Sequence, residues 1–360
     1  MSYINAIETA LPDNCFSQEQ FRKFFLNSTE DEANQRKINI VARKSGITER
    51  YSVIRDFGVQ PQDFEFFAKD RSLLPEPGLS RRMSLYREHA VALSIRAVRK
   101  IKQFETIKEK ISHLITVTCT GMFAPGNDID LIHALQLNPS ISRSAINFMG
   151  CNAAIIALKQ ADTICKANPG AHVLIVCTEL CSIHFQKRYS DDYILSNLIF
   201  GDGSAAVLVG SQPADTYAHP VEISRFDSMI AYNGYKDMAW QLSETGFLMN
   251  LSSYVSSIIK ENMQPLFDGI RLKPEDIRHW AIHPGGKKIL DDVASALQLS
   301  QGQLDHSYDV LKNYGNMSSP TVLFVLKQVL EQAEAAQGDA VFAAAFGPGL
   351  SIETMQLRYV

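Results

Sequence analysis

Met149-Gly150-Cys151-Asn152-Ala153-Ala154-Ile155-Ile156-Ala157-Leu158 carries the chain into a helix that is apolar on nearly every side in its first turns. A helix with no polar face has to be buried. Cys151 stands at its N-terminus, where the macrodipole favours negative charge. A thiol held there has a lowered pKa, more so if a histidine lies nearby. Gly150 permits a tight turn and close approach of a ligand. Taken alone, Cys151 reads equally well as a small core residue like Cys165.

On either side of this helix lie short apolar runs of the kind that form strands. His113-Leu114-Ile115-Thr116-Val117-Thr118-Cys119 is β-branched and is followed by Gly121 and the turn pair Pro125-Gly126. A helix from about 127 to 137 comes next. Val173–Cys177 and Ala205–Val209 are near-continuous apolar runs, which predict strands covered on both faces. Towards the N-terminus, Ser17-Gln18-Glu19-Gln20 has the capping-box pattern that starts a helix through Phe21, Phe24 and Phe25. Segment 53–82, with Pro61, Pro75 and Pro77, reads as irregular, and a helix is expected over 84–102.

Gln212-Pro213-Ala214-Asp215 is the best linker and divides the chain into 1–212 and 213–360. Beyond it the pattern predicts helices near 251–263, 287–297 and 322–332. Strands are expected at 280–282, 340–346 and 350–357, the last two joined by Gly347-Pro348-Gly349. Two halves of similar texture fit a layered α/β protein, and periodicity alone does not choose among the α/β folds.

Composition narrows the function. The 360 residues are 46% hydrophobic and 21% charged, ordinary for a globular protein. Thirty-five basic residues against 39 acidic give a net charge of −4, without the electrostatic footprint of a nucleic-acid binder. The first residues, Met1-Ser2-Tyr3-Ile4-Asn5, lack the basic-then-apolar pattern of a secretory signal. No apolar run reaches the ~18 residues of a membrane span. Six scattered cysteines read as reduced thiols of a cytoplasmic protein.

Two later segments change the reading of Cys151. Ile282-His283-Pro284-Gly285-Gly286 puts a histidine just past a predicted strand, at the head of a helix. Tyr314-Gly315-Asn316-Met317-Ser318-Ser319 puts an amide at a second helix start, where an asparagine is ordinarily only a cap. With Phe346-Gly347-Pro348-Gly349 and Phe200-Gly201-Asp202-Gly203 they form an ordered set. The Gly-x-Gly at 201–203 precedes a strand rather than linking strand to helix, so it is no dinucleotide loop.

In this ordered set the chain resembles the type III polyketide synthases, the chalcone-synthase-like branch of the thiolase-fold condensing enzymes, with a bacterial cast. The resemblance runs from about Lys37 to the C-terminus. It implies a thiolase-like five-layer αβαβα sandwich of two duplicated halves and a homodimer. It also implies malonyl-CoA and an acyl-CoA starter as substrates, with no cofactor beyond these thioesters and no metal. Cys151 would take the starter as a thioester, because exchange between thiols is nearly isoenergetic. His283 would pair with it, and His283 with Asn316 would hold the enolate left when malonyl-CoA loses CO₂.

The resemblance further assigns the cavity. Phe200 matches the aromatic between CoA tunnel and cavity, with Met249 in place of its usual aromatic partner. Trp240 falls where chalcone synthases carry a cavity glycine. Cys119, Cys181 and His184 replace threonines, Ala124 replaces a methionine on a loop that reaches the partner subunit, and Ser318, Phe346, Gly347 and Pro348 complete the walls. Lys37, Arg43, Lys44, Lys288 and Gly286 would hold the CoA. Two competing readings stand beside this one. The first is a single-round condensing enzyme that passes chains to acyl carrier protein, although its histidine is not usually followed by Pro-Gly-Gly. The second is a zinc site at Cys177-x₃-Cys181-x₂-His184, which lacks a fourth ligand.

Overall fold

The structure is a computed structural model that describes residues 1–214, 219–332 and 334–360. Asp215 of the expected linker lies outside them. Nine strands form one sheet. From one edge to the other its order is His279–Ile282, Ala340–Gly347, Ser351–Tyr359, Val221–Ile230, Tyr3–Ala10, Asp202–Gly210, His172–Leu180, His113–Thr118 and Ser142–Asn147.

That order repeats itself about the centre. Tyr3–Ala10, Asp202–Gly210, His172–Leu180 and His113–Thr118 pair antiparallel, antiparallel, then parallel. Val221–Ile230, Ser351–Tyr359, Ala340–Gly347 and His279–Ile282 do the same. The two sets meet only where Tyr3 and Ile4 pair with Glu222 and Val221. Ser142–Asn147 extends the first set alone, parallel to His113–Thr118.

Side-chain alternation along these strands separates three apolar clusters. Ile115, Val117, Val173 and Ile175 face a central cluster that contains the helices Ala153–Ala167 and Thr321–Gln332. Leu114, Leu174 and Val176, on the opposite face, pack under Leu79–Val98 and the phenylalanines of Gln18–Asn27. Trp280, Ile282, Phe342 and Ala344 pack under Val255–Ile270 and Lys287–Ala296. Helices, one half of the sheet, helices, the other half of the sheet and helices make the five layers expected. Ala153, Ala154, Ala157 and Ala161 are fully buried, because small residues on the inner face of this helix let its neighbours close in, while Lys159, Thr163 and Lys166 stay exposed.

Several boundaries differ from the sequence reading. The capping box at Ser17 forms, with Ser17 Oγ accepting from Gln20 N and Gln20 Oε1 from Ser17 N. The long helix starts at Leu79 rather than 84, straight after Gly78. The expected helix at 251–263 runs over Val255–Ile270. Strands Ser142–Asn147 and Val221–Ile230, the hairpin Met238–Ser243 with Gly246–Leu251, and the helix Asp305–Tyr314 carry no expectation from sequence. No described helix is long and apolar enough to cross a membrane.

Candidate active site

The chain reaches Cys151 through a strained turn. Phe148 has φ +59° and Gly150 φ +88°, left-handed conformations that L side chains enter at a cost of about 1–3 kcal/mol. A Cβ on Gly150 would lie 2.1 Å from Pro348 Cδ, so only glycine lets the 346–349 loop seat against the nucleophile turn. Asn152 then leads into the central helix, its Nδ2 donating to Ser351 Oγ at 2.8 Å. Cys151 Sγ donates to Ser318 Oγ at 3.5 Å. Burial pushes its thiol up to about 11; Ser318 and Asn316 oppose that shift, and the Glu179 carboxylate adds to it.

Asn316 is held with its amide in one orientation. Its Oδ1 accepts from Ser318 N at 2.8 Å, which turns Nδ2 the other way, towards Gly285 O at 3.3 Å. One N–H of that nitrogen remains for a ligand. The backbone is fixed equally well, since Asn316 N donates to Ile199 O and Gly201 N to Asn316 O, both at 2.9 Å. Ser318 has φ +59°, a second strained position at the same site.

His283 follows the strand His279–Ile282, with its N–H donating to Ala344 O at 2.8 Å. The residue is buried, and neither Nδ1 nor Nε2 has a hydrogen-bond partner. Burial pulls its imidazole down to about 3. A buried ring with two idle nitrogens is costly unless something else engages them.

A cavity of about 380 Å³ opens in front of Cys151, walled by Cys119, Cys181, Phe200, Trp240, Met249, Ser318 and Pro348. Sequence reasoning named all of these; it missed Thr120 and Met238 in the same wall. Trp240 points inward, its Nε1 donating to Cys119 O at 2.8 Å. His184 stands behind it, stacked on Phe247 at 4.3 Å and edge-on to Trp240 at 5.8 Å. His184 Nε2 donates to Thr120 O at 2.7 Å and Nδ1 accepts from Phe247 N at 3.3 Å, so both nitrogens are engaged and burial keeps the ring neutral. That hydrogen bonding leaves no lone pair for the zinc reading.

Other expected residues lie elsewhere. Phe346 is fully buried in the outer apolar cluster with Ile282 and Leu350 and does not face the Cys151 cavity. Gly347 meets Asn152 rather than open space. Ala124, on a cis Ala124–Pro125 bond, lines a separate depression with Met122, Arg143 and Asn147. Lys37 pairs with Asp191 at 2.7 Å, and Arg43 and Lys44 end the helix Glu32–Lys44. Gly286 caps the helix that begins with Lys287 and exposes Lys288. Lys287, which sequence reasoning passed over, packs against Gly46 and brings the two basic segments together.

Glu179 was also missed. Its buried carboxylate accepts from Thr118 Oγ1, Cys119 N, Thr120 Oγ1 and Ser319 Oγ at 2.6 to 3.2 Å, tying the cavity wall to the Asn316 loop. The signal was a glutamate inside a strand buried over nearly its whole length, where it needs partners.

Comparison with known proteins agrees with this architecture. Residues 1–213 match the N-terminal domain of chalcone and stilbene synthases and residues 227–360 the C-terminal domain. The alpha-pyrone synthesis polyketide synthase-like Pks18 of Mycobacterium tuberculosis is 33% identical over 371 aligned positions, covering 99% of this chain and 90% of that one. The crystal structure of PKS-I from the brown alga Ectocarpus siliculosus superposes with TM-score 0.91 at 27% identity, over 100% of this chain and 98% of that one. Tetrahydroxynaphthalene synthase from Streptomyces coelicolor shares the fold, with TM-score 0.85 at 23% identity and 99% of each chain covered. These matches exclude the single-round carrier-protein reading: the chain belongs to the chalcone and stilbene synthase family and is a type III polyketide synthase.

Proposed function

We propose that the enzyme loads a short acyl group from CoA onto Cys151 and extends it with malonyl-CoA. The observation that carries this is the pair of unpartnered, buried nitrogens of His283, two residues before the Gly285 carbonyl that holds the Asn316 amide, which in turn reaches the Cys151 thiol. In loading, the Cys151 sulfur attacks the thioester carbonyl, the Cys151 proton passes to His283, and the CoA sulfur leaves and is reprotonated. In extension, the malonyl C–CO₂ bond breaks and its electrons move to the thioester oxygen, where the His283 and Asn316 donors meet them. Such donors contribute about 10²–10³ in rate each. The resulting carbanion carbon attacks the acyl–Cys151 carbonyl. The apolar faces of Phe200 and Met249 disfavour the malonyl carboxylate and favour its loss as CO₂.

Repetition and lactone closure, in which an enol oxygen displaces Cys151 sulfur, would release a pyrone. The similarity to a relative described as alpha-pyrone synthesising supports that ending over an aromatic one. Arg43, Lys44 and Lys288 supply the positive charge for CoA phosphates, whereas Lys37 and Lys287 are paired with Asp191 and Asp291. The halves 1–212 and 213–360 act as one duplicated unit, and reduced cysteines suit the cytoplasm.

The indole of Trp240 sets the starter size. It walls the Cys151 cavity and also a second chamber of about 460 Å³, lined by Phe21, Phe57, Phe185 and Asn197. The enzyme and its Trp240→Gly variant, each given malonyl-CoA and a ladder of acyl-CoA chain lengths, decide both points by mass spectrometry. The wild type is expected to make polyketides from short starters. The variant joins the chambers and shifts the kcat/KM ratio towards longer chains by about tenfold or more. Absence of any malonyl-derived product would refute the function, and an unchanged starter profile the role of Trp240.

We also propose a homodimer through the Ser142–Asn147 edge. That strand exposes an unpaired backbone edge beside Met122 and Met149, a template for a second copy. Light scattering is expected to give twice the 40.1 kDa chain mass; a monomer at micromolar concentration would reject it.

A further inference from the structure

Arg50 is a guanidinium sealed from solvent, and none of the chemistry above uses it. It comes from the short strand Glu49–Ser52, paired with Asn14–Ser17 so that Phe16 lies opposite. Its Cζ sits 3.7 Å from the centre of the Phe21 ring. Nη1 donates to Phe200 O at 2.6 Å and Asn197 O at 3.2 Å. These carbonyls close the helix Asp191–Ile199, whose C-terminal dipole also favours a cation. Nε and Nη2 have no partner, and burial pulls the group down to about 9 against the opposing charge of Asp202. Asp202 is itself engaged, accepting from Val53 N, Ser182 N and Ser182 Oγ.

A buried cation with idle donors is costly, so its surviving contacts indicate what it is for. Both lie on the segment that carries the site. Phe200 bridges Asn316, with Ile199 O and Gly201 N gripping the Asn316 backbone from either side. The next residue down, Gly315, has φ +67°, and a Cβ there would lie 2.7 Å from Arg50 Cδ. One side chain therefore supports both the wall aromatic and the loop that aims the amide.

We propose that Arg50 is a positioning residue for malonyl decarboxylation, acting through the Phe200 carbonyl on the placement of Phe200 and Asn316. The inference rests on the reading of Asn316 as an enolate donor. It predicts a split, because Cys151 is carried by the turn that leads into Ala153–Ala167, and its sulfur bonds to Ser318 and not to Arg50, Phe200 or Gly315. Lysine keeps the charge but is a point donor that cannot span two carbonyls while lying flat on a ring.

In full-length Arg50→Lys, CO₂ release from malonyl-CoA is expected to fall about 10- to 100-fold in kcat, as for a small misplacement of a catalytic group. Acyl loading on Cys151, followed by intact mass, is expected to stay within about twofold. Phe21→Leu removes the ring beneath the guanidinium and is expected to give a smaller loss with the same split; it decides the case if Arg50→Lys does not fold. Asn316→Ala is measured alongside. If it decarboxylates normally, the enolate reading itself fails. If it is impaired while Arg50→Lys and Phe21→Leu behave like wild type, Arg50 has no such role. Equal losses of loading and decarboxylation would reduce Arg50 to general packing and also overturn the proposal.

Discussion

Replacing His283 with alanine is expected to slow iodoacetamide alkylation of Cys151 at pH 7 by about 10²-fold or more, and malonyl-CoA decarboxylation by a similar factor. The two losses have separate origins. Burial alone favours the neutral forms of both groups, holding the thiol at about 11 and the imidazole at about 3. A thiol left at that value is ionised to only about 10⁻⁴ at pH 7. Passing the proton from sulfur to imidazole creates two opposite charges in one poorly solvated site, and their attraction offsets the desolvation that each would meet alone. Removing the ring removes that offset. The thiol then keeps its raised value, and the alkylation profile shifts to higher pH. Decarboxylation suffers because a donor to the enolate oxygen is gone. Alkylation within about twofold of wild type at pH 7 would show that the thiol is activated by something else.

The parts of this site that were legible in sequence are those where chemistry forces an unusual residue into a marked place. Gly150-Cys151 heads a helix whose first turns are apolar, and Gly150 is required because Pro348 occupies the space of a Cβ. His283 directly follows the strand His279–Ile282, and Asn316 lies in the turn between the helices Asp305–Tyr314 and Thr321–Gln332. Strands such as His172–Leu180 were legible because both faces are buried, which writes an apolar run into the chain. Ser142–Asn147 was not, because an edge strand with one face exposed and the other only half-buried has no such constraint, and Ser-Arg-Ser-Ala-Ile-Asn resembles a loop. The hairpin carrying Trp240 and Met249 was hidden similarly: its strands pair only with each other and mix exposed and buried positions.

Long-range partners are the other limit. Arg50 and Glu179 look like charged residues in polar or strand context, and their meaning lies in acceptors and donors 59 to 150 residues away. Phe346 shows the converse error. Its glycine-rich neighbourhood does shape the site, through Pro348 against Gly150, but strand alternation turns its own ring into the outer core. Reading a motif locates the segment; the pleat decides which of its side chains face the cavity.

Cys151→Ala is expected to abolish acyl-enzyme formation entirely while leaving malonyl-CoA decarboxylation within about tenfold of wild type. Neither decarboxylation donor depends on the sulfur for its placement. Asn316 is oriented by Ser318 N and Gly285 O, and the His283 main chain is held by Ala344 O. The Cys151–Ser318 contact, at 3.5 Å, is too long to anchor that loop. Loss of the thiol therefore uncouples the two half-reactions. The enolate still forms, finds no acyl group to attack, takes a proton instead and leaves as acetyl-CoA. Mass spectrometry should detect acetyl-CoA accumulating, no polyketide, and no acyl adduct on the protein. An adduct that survives in this variant would place the acyl group on another nucleophile, with Cys119 and Cys181 in the same wall as the first to test. Joint loss of decarboxylation would show that sulfur, imidazole and amide act as one unit, contrary to the separate supports described above.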